Sequence, residues 1–280
     1  MRSGTVRSGT LKTPGATIYH EVRGSGPLLL MIPGGGGDAG VFDAMAEVLE
    51  RHFTVAALDP RGYSRSTLDS GHPERQRVAV QSDDAHRLLV HLSDEPAFVF
   101  GTSNGAIVGL DLLARHPERV RTLVAHEPPC FAVLPDAEVH RAMADEVYDL
   151  LRVEGVAAAG ARFLAGIGPA MKPSPEVSAL SPRAAALWDR LAANAPRMIE
   201  HELREFTSYV PDYAALAAVS ERLVLAAGRE TRGCLPYRPA ELIAERLGRE
   251  LVEFPGAHNG TRTDASEFAE RLLGAFTATG

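Results

Sequence analysis

The chain has 280 residues, enough for one large domain or for a domain carrying an insertion. Hydrophobic residues make up 45% and charged residues 23%, and the net charge of −7 comes from acids scattered along the chain, so the basic stripe of a nucleic-acid binder is excluded. Two cysteines, Cys130 and Cys234, are too few for a disulfide framework, and no apolar run approaches the length of a membrane span.

The first ten residues, MRSGTVRSGT, have no apolar stretch, so no secretory leader is expected and a cytoplasmic location follows by default. Short apolar runs then alternate with longer amphipathic segments, the pattern of a parallel sheet covered by helices. A hairpin is predicted first, with strands at 5–11 and 16–22 around a Thr-Pro-Gly turn. Buried strands are predicted at 28–32, 54–58, 97–100, 122–125, 223–227 and 251–254. Helices are predicted at 41–50, with Asp38 as a cap, at 78–92, and from Asn104 to before Pro117. Pro239 suits the first turn of a helix over 239–247, and Asp264 with Glu267 brackets the last helix like a capping box.

The alternation breaks between Phe131 and Ser220, where helical patterns rich in alanine and proline hold the only tryptophan, Trp188. This stretch, 131–220, is expected to be a mobile helical cap over a core formed by 1–130 and 221–280. Phe131, Phe163, Met171, Trp188, Met198 and Phe206 would give it a mainly apolar pocket, or serve as its own core.

Gly101-Thr102-Ser103-Asn104-Gly105 is a G-x-S-x-G that follows an apolar strand and opens a helical run. A nucleophile elbow needs that strand–turn–helix setting, in which the helix N-terminus favours developing negative charge. A serine hydroxyl is a poor nucleophile without a base, and His258, in a glycine-flanked loop just past the last strand, stands where such a base is presented. Two carboxylates fit the order Ser, acid, His: Glu127, 24 residues after Ser103 at a strand end, and Glu230, at the end of the strand after the insertion.

In these pieces and their order the chain resembles the α/β-hydrolase superfamily over nearly its whole length. The hairpin, the strand and glycine loop LLLMIPGGGG, the strand end LDPRGYSRS, the elbow GTSNG, the strand LVLAAGRE and the loop PGAH all match. The resemblance implies an eight-stranded, mostly parallel sheet with flanking helices, a helical cap inserted after the sixth strand, and a site at the strands' carboxyl ends. It also implies an oxyanion hole made by the backbone N–H groups of Gly35 and Asn104. Asp59 and Arg61 would be structural, and Tyr63 would line the pocket. Pro33 departs from the family, many of whose members have histidine before the glycine. Many members place the acid after the later strand; a minority, including haloalkane dehalogenases, place it after the earlier one. In the commoner arrangement the acid falls three residues after the glycine, and that position here is Thr231. Glu127 is therefore the expected acid and Glu230 the alternative.

The activity expected is acyl-enzyme hydrolysis of a small to medium, largely apolar carboxylic ester, with a lactone or thioester as the alternative. No cofactor or metal is expected, and the partner is a small molecule, with a homodimer left open and neither nucleic acid nor membrane. Two readings of other classes compete. Gly35, Gly37 and Gly40 form a G-x-G-x-x-G with Asp59 about 20 residues on, the fingerprint of an NAD(P)-binding oxidoreductase. A non-catalytic small-molecule binder on a hydrolase scaffold is the other.

Overall fold

The computed structural model describes residues 5–173 and 181–277. Nine strands form one sheet: β1 (Arg7–Thr13), β2 (Ala16–Gly24), β3 (Leu28–Ile32), β4 (Thr54–Leu58), β5 (Thr67–Leu68), β6 (Ala97–Thr102), β7 (Val120–His126), β8 (Leu223–Gly228) and β9 (Leu251–Phe254). Their order is β1-β2-β4-β3-β6-β7-β8-β9, with β5 on β2; β2 pairs antiparallel with β1, β4 and β5, and β4, β3, β6, β7, β8 and β9 run parallel. The two-residue β5 is the one strand the sequence does not announce. It raises the expected eight to nine, and it is too short to carry an alternating pattern.

Helices α1 (Asp43–Leu49), α2 (Val78–Leu92) and α3 (Asn104–Arg115) belong to the first half. Between β7 and β8 come α4 (Ala137–Val153), α5 (Val156–Ile167), α6 (Pro182–His201), α7 (Leu203–Thr207) and α8 (Tyr213–Ala217), with no strand among the described residues there. Positions 174–180 of the expected cap lie outside the described residues. After β8 follow α9 (Tyr237–Arg246), α10 (Gly260–Thr263) and α11 (Ala265–Thr277).

A strand points alternate side chains to opposite faces, and a sheet covered on both sides is therefore apolar throughout. In β3, Leu28, Leu30 and Ile32 join the core beneath α2, α3 and α9. Leu29 and Met31 join the other, with Phe42, Phe268 and Phe276 from the side of α1 and α11.

Two capping expectations need correction. Asp38 caps a 3-10 turn at Ala39–Phe42, its carboxylate accepting from Gly40 N–H at 2.9 Å, so α1 begins one turn later. The last helix shows no capping box among the described residues: Asp264 accepts from Lys172 Nζ and Thr263 Oγ1, and Glu267 pairs with Arg229. Ion pairing to lysine and arginine has taken the two carboxylates that a box would use.

Candidate active site

The parallel register sets the site. Thr102 pairs with His126, and His126 with Ala226, so β6 and β7 end level with one another and β8 runs on two residues further to Gly228. The next residue on β6 is Ser103 and the next on β7 is Glu127. Ser103 turns the chain at φ 53°, ψ −127° between β6 and α3, a strained conformation for a non-glycine residue. The glycines beside it are obligatory. A Cβ on Gly101 would lie 2.3 Å from the Gly105 carbonyl oxygen, and one on Gly105 would lie 2.2 Å from that of Ile32. The tight turn and the close passage of α3 over β3 both depend on them.

Glu127 is fully buried and also has a positive φ, 47°. Its Oε1 accepts from the Gly228 N–H at 2.9 Å and from the Thr231 hydroxyl, and its Oε2 accepts from His258 Nδ1 at 2.5 Å. Burial by itself would raise the carboxyl pKa. The hydrogen bond from His258, the neighbouring imidazoles and Thr231 more than offset it, holding Glu127 down at about 2. A carboxylate can only accept, so His258 carries a proton on Nδ1 and its neutral form presents Nε2 as a lone pair.

The His258 loop is fixed from its other side. His258 N–H donates to the Ala170 carbonyl at 2.9 Å, and the Asn259 side chain exchanges hydrogen bonds with both backbone groups of Lys172, at 3.0 and 2.9 Å. Behind Glu127 lies His126, wholly buried, with Nδ1 3.2 Å from Thr102 Oγ1 and Nε2 without a partner among the described residues. Burial pushes its pKa down to about 4, so it is neutral near pH 7. Neither Asn259 nor His126 is apparent from the sequence, since both act through contacts distant along the chain.

Glu230, the alternative acid, is half-exposed and pairs with Lys172 Nζ at 2.9 Å. Its backbone passes the His258 loop, donating to Gly256, but its side chain makes no hydrogen bond to His258 among the described residues. It lies on the first turn after β8, whose Thr231 turns inward to Glu127 while the Glu230 side chain turns out to Lys172.

Ser103 and His258 open into one cavity of about 310 Å³, lined also by the glycine loop 34–37, Asn104 and residues of α5 and α6. Neither the Gly35 nor the Asn104 backbone N–H is taken by another group among the described residues. The Asn104 side chain donates to Glu202 Oε1 at 2.6 Å; Glu202 is buried, and burial raises its pKa. Of the six aromatic and methionine residues expected at the pocket, Phe131, Phe163, Met171, Trp188 and Met198 line it. Phe206 does not; it packs into the core beneath α3. Tyr63 is also absent from the lining and is buried beside Glu202.

Asp59 is fully buried and accepts from the Ala39 N–H and from Arg65, which leaves no free oxygen for a ribose hydroxyl as the dinucleotide reading requires. Arg61 makes a bidentate pair with Asp84 at 2.7 and 2.8 Å, the structural use expected of it.

Helix α6 is fastened to the core along one face. Arg183 reaches Asp43 and Glu21, Arg190 reaches Asp38 at 2.5 Å, and Arg197 reaches the Gly62 carbonyl. Asn194 bonds to the Gly36 carbonyl and to Ser64.

The family model described as alpha/beta hydrolase fold matches residues 27–203. Over 274 residues, 96% of this chain and 95% of the other, the sequence is 39% identical to an uncharacterized hydrolase, YraK, of Bacillus subtilis strain 168. It is 30% identical over 150 residues to a zearalenone hydrolase of Bionectria ochroleuca, covering 49% of this chain and 56% of that protein. Among solved structures, a thermophilic esterase from Thermogutta terrifontis superposes with a TM-score of 0.74 at 19% identity, covering 96% of this chain and 97% of that one.

Proposed function

The chain belongs to the alpha/beta hydrolase fold family and is a hydrolase, and on that premise we propose that it cleaves carboxylic esters through an acyl-enzyme on Ser103. One observation carries the reading: the buried Glu127 carboxylate holds His258 by Nδ1 at 2.5 Å, while Ser103 shares the cavity with that imidazole.

In this mechanism His258 Nε2 takes the Ser103 proton as Oγ attacks the ester carbonyl. Glu127 fixes the tautomer and stabilises the imidazolium that forms. The developing oxyanion is met by the backbone N–H groups of Gly35 and Asn104, each donor of this kind contributing about 2.7–4 kcal/mol to the transition state. His258 then hands its proton to the leaving alcohol. Water, activated by the same imidazole, attacks the acyl carbon and returns Ser103 to its free hydroxyl.

The helices between β7 and β8 act as the cap, and the apolar lining from Phe163 to Met198 favours an acyl or alkyl chain over a polar group. A lactone is an ester closed on itself, and the same groups would open it. Screening short esters, lactones and acyl thioesters with wild type and Ser103→Ala tests the reading: Ser103-dependent turnover is expected, with esters and lactones ahead of thioesters.

A further inference from the structure

The cavity lining is mainly apolar, with a few neutral polar side chains such as Thr207, Asn259 and Thr261 and one charged one. Arg262, on α10 one turn past His258, is the sole Lys, Arg, Asp or Glu among the described residues that line it. Its guanidinium sits over the Trp188 ring, 4.9 Å from the centroid, and Trp188 lines the same cavity. Among the described residues no carboxylate pairs with it. By contrast, Arg23 ends on Asp43, Arg61 on Asp84 and Arg190 on Asp38. The nearest acid along the chain, Asp264, is held by Lys172 at 2.9 Å.

Taking a guanidinium partly out of water without a counter-charge is costly, and the face of one indole offsets only part of that. A charge left unpaired inside a binding cavity, with its fork of donors free, matches a bidentate anion. We propose, on the reading of this site as an ester hydrolase, that its substrate carries a carboxylate, which Arg262 receives beside Trp188. The preferred substrates are then anionic esters or lactones rather than the wholly apolar esters that the rest of the lining suggests. Arg262 is here a specificity-determining residue with no part in the bond-making steps.

One neutral parent and two charged partners test this. Ethyl hexanoate is the parent. Monoethyl adipate puts a carboxylate in place of the terminal methyl of its acyl chain, and hexanoyl glycolate does so on the alcohol side. For wild type, kcat/KM for at least one charged ester should exceed that of the parent by about ten- to a hundred-fold, chiefly through KM. In Arg262→Met that ratio should collapse to near one, and Arg262→Lys should restore part of it. Dissociation constants of the same three esters with Ser103→Ala, with and without Arg262→Met, give the ratio without turnover. Absence of turnover on all three would count against the ester-hydrolase reading, while the binding ratio would still decide the role of Arg262. The proposal is overturned if neither charged ester is preferred, or if Arg262→Met weakens all three equally, as a mere prop for Trp188 would.

Discussion

Ser103 and Glu127 stand side by side at the ends of neighbouring strands, each one residue past the paired Thr102 and His126, and both have left-handed φ, 53° and 47°. The turn at Ser103 presents its hydroxyl to the cavity beyond the strand ends. The turn at Glu127 brings a side chain from the next strand end toward the His258 loop, 131 residues further along the chain. Loss of a triad acid leaves the base misoriented and costs about 10⁴ in kcat in a well-studied case. Glu127→Gln is expected to approach that loss with the fold retained. Glu230→Gln, which removes only a shared surface partner of Lys172, should change kcat by a few-fold at most. Steady-state kinetics of the two variants checks this.

The glycines of the two loops predict different failures. A Cβ on Gly105 meets the backbone oxygens of Ile32 and Pro33 at 2.2 and 2.5 Å, which cannot yield without moving β3. Gly105→Ala should therefore fail to accumulate as folded protein. A Cβ on Gly35 meets side-chain atoms instead, Asn104 Nδ2 at 2.7 Å and Met198 Cγ at 3.0 Å. Gly35→Ala should fold, and should lose up to about a hundred-fold in kcat as the oxyanion donors are displaced. Soluble yield, circular dichroism and kcat separate the two outcomes.

His126 predicts a pH dependence of stability. Its folded pKa is down at about 4 against a usual value of 6.5, because burial disfavours the charged ring. Between those values the unfolded chain binds a proton that the folded chain does not, so stability rises with pH there and its full contribution is present above 6.5. Glu127, held at about 2 against a usual 4.5, contributes stability that is present above 4.5 and lost as pH falls below that value. Between pH 7 and 4.5 His126 acts together with His20 and His86, whose pKa values burial also lowers, and all three push stability the same way. The share of the unfolding free energy that His126 loses across this range should be ~3 kcal/mol at most, and His126→Gln should remove that share of the slope and leave the rest. Denaturant titrations at a series of pH values are the measurement.

The positions of the eight longer strands, the elbow and the place of Glu127 were legible because each is a local pattern: an apolar run, a turn signal, a residue at a strand end. What escaped is non-local. Nothing near Arg262 in the sequence tells that it faces a cavity without a counter-ion while Asp264, two residues on, is held by Lys172. Phe206 looks like pocket lining by residue type, yet α7 carries it into the main core. Tyr63 follows a strand end, as a pocket residue does, and is instead buried beside Glu202.

The cap is another such case, since helical patterns alone suggest one mobile unit. Arg183, Arg190 and Arg197, spaced seven apart on α6, are each fastened to the core, whereas α5 is bounded by Gly155 and Gly168 with positive φ and leaves Leu164 half-exposed. Motion that admits substrate should therefore reside in α5. Hydrogen exchange should be faster across Val156–Ile167 than across α6. Arg190→Ala should raise exchange in α6, whose link to Asp38 it removes.

The central claim is that Ser103 becomes covalently acylated. Incubation with a 4-nitrophenyl dialkyl phosphate, followed by intact-mass and peptide analysis, tests it most directly. One equivalent of phosphoryl adduct on the peptide containing Ser103, with parallel loss of ester hydrolysis and no adduct on Ser103→Ala, is the predicted result. Ester hydrolysis that persists at the wild-type rate in Ser103→Ala would contradict the account.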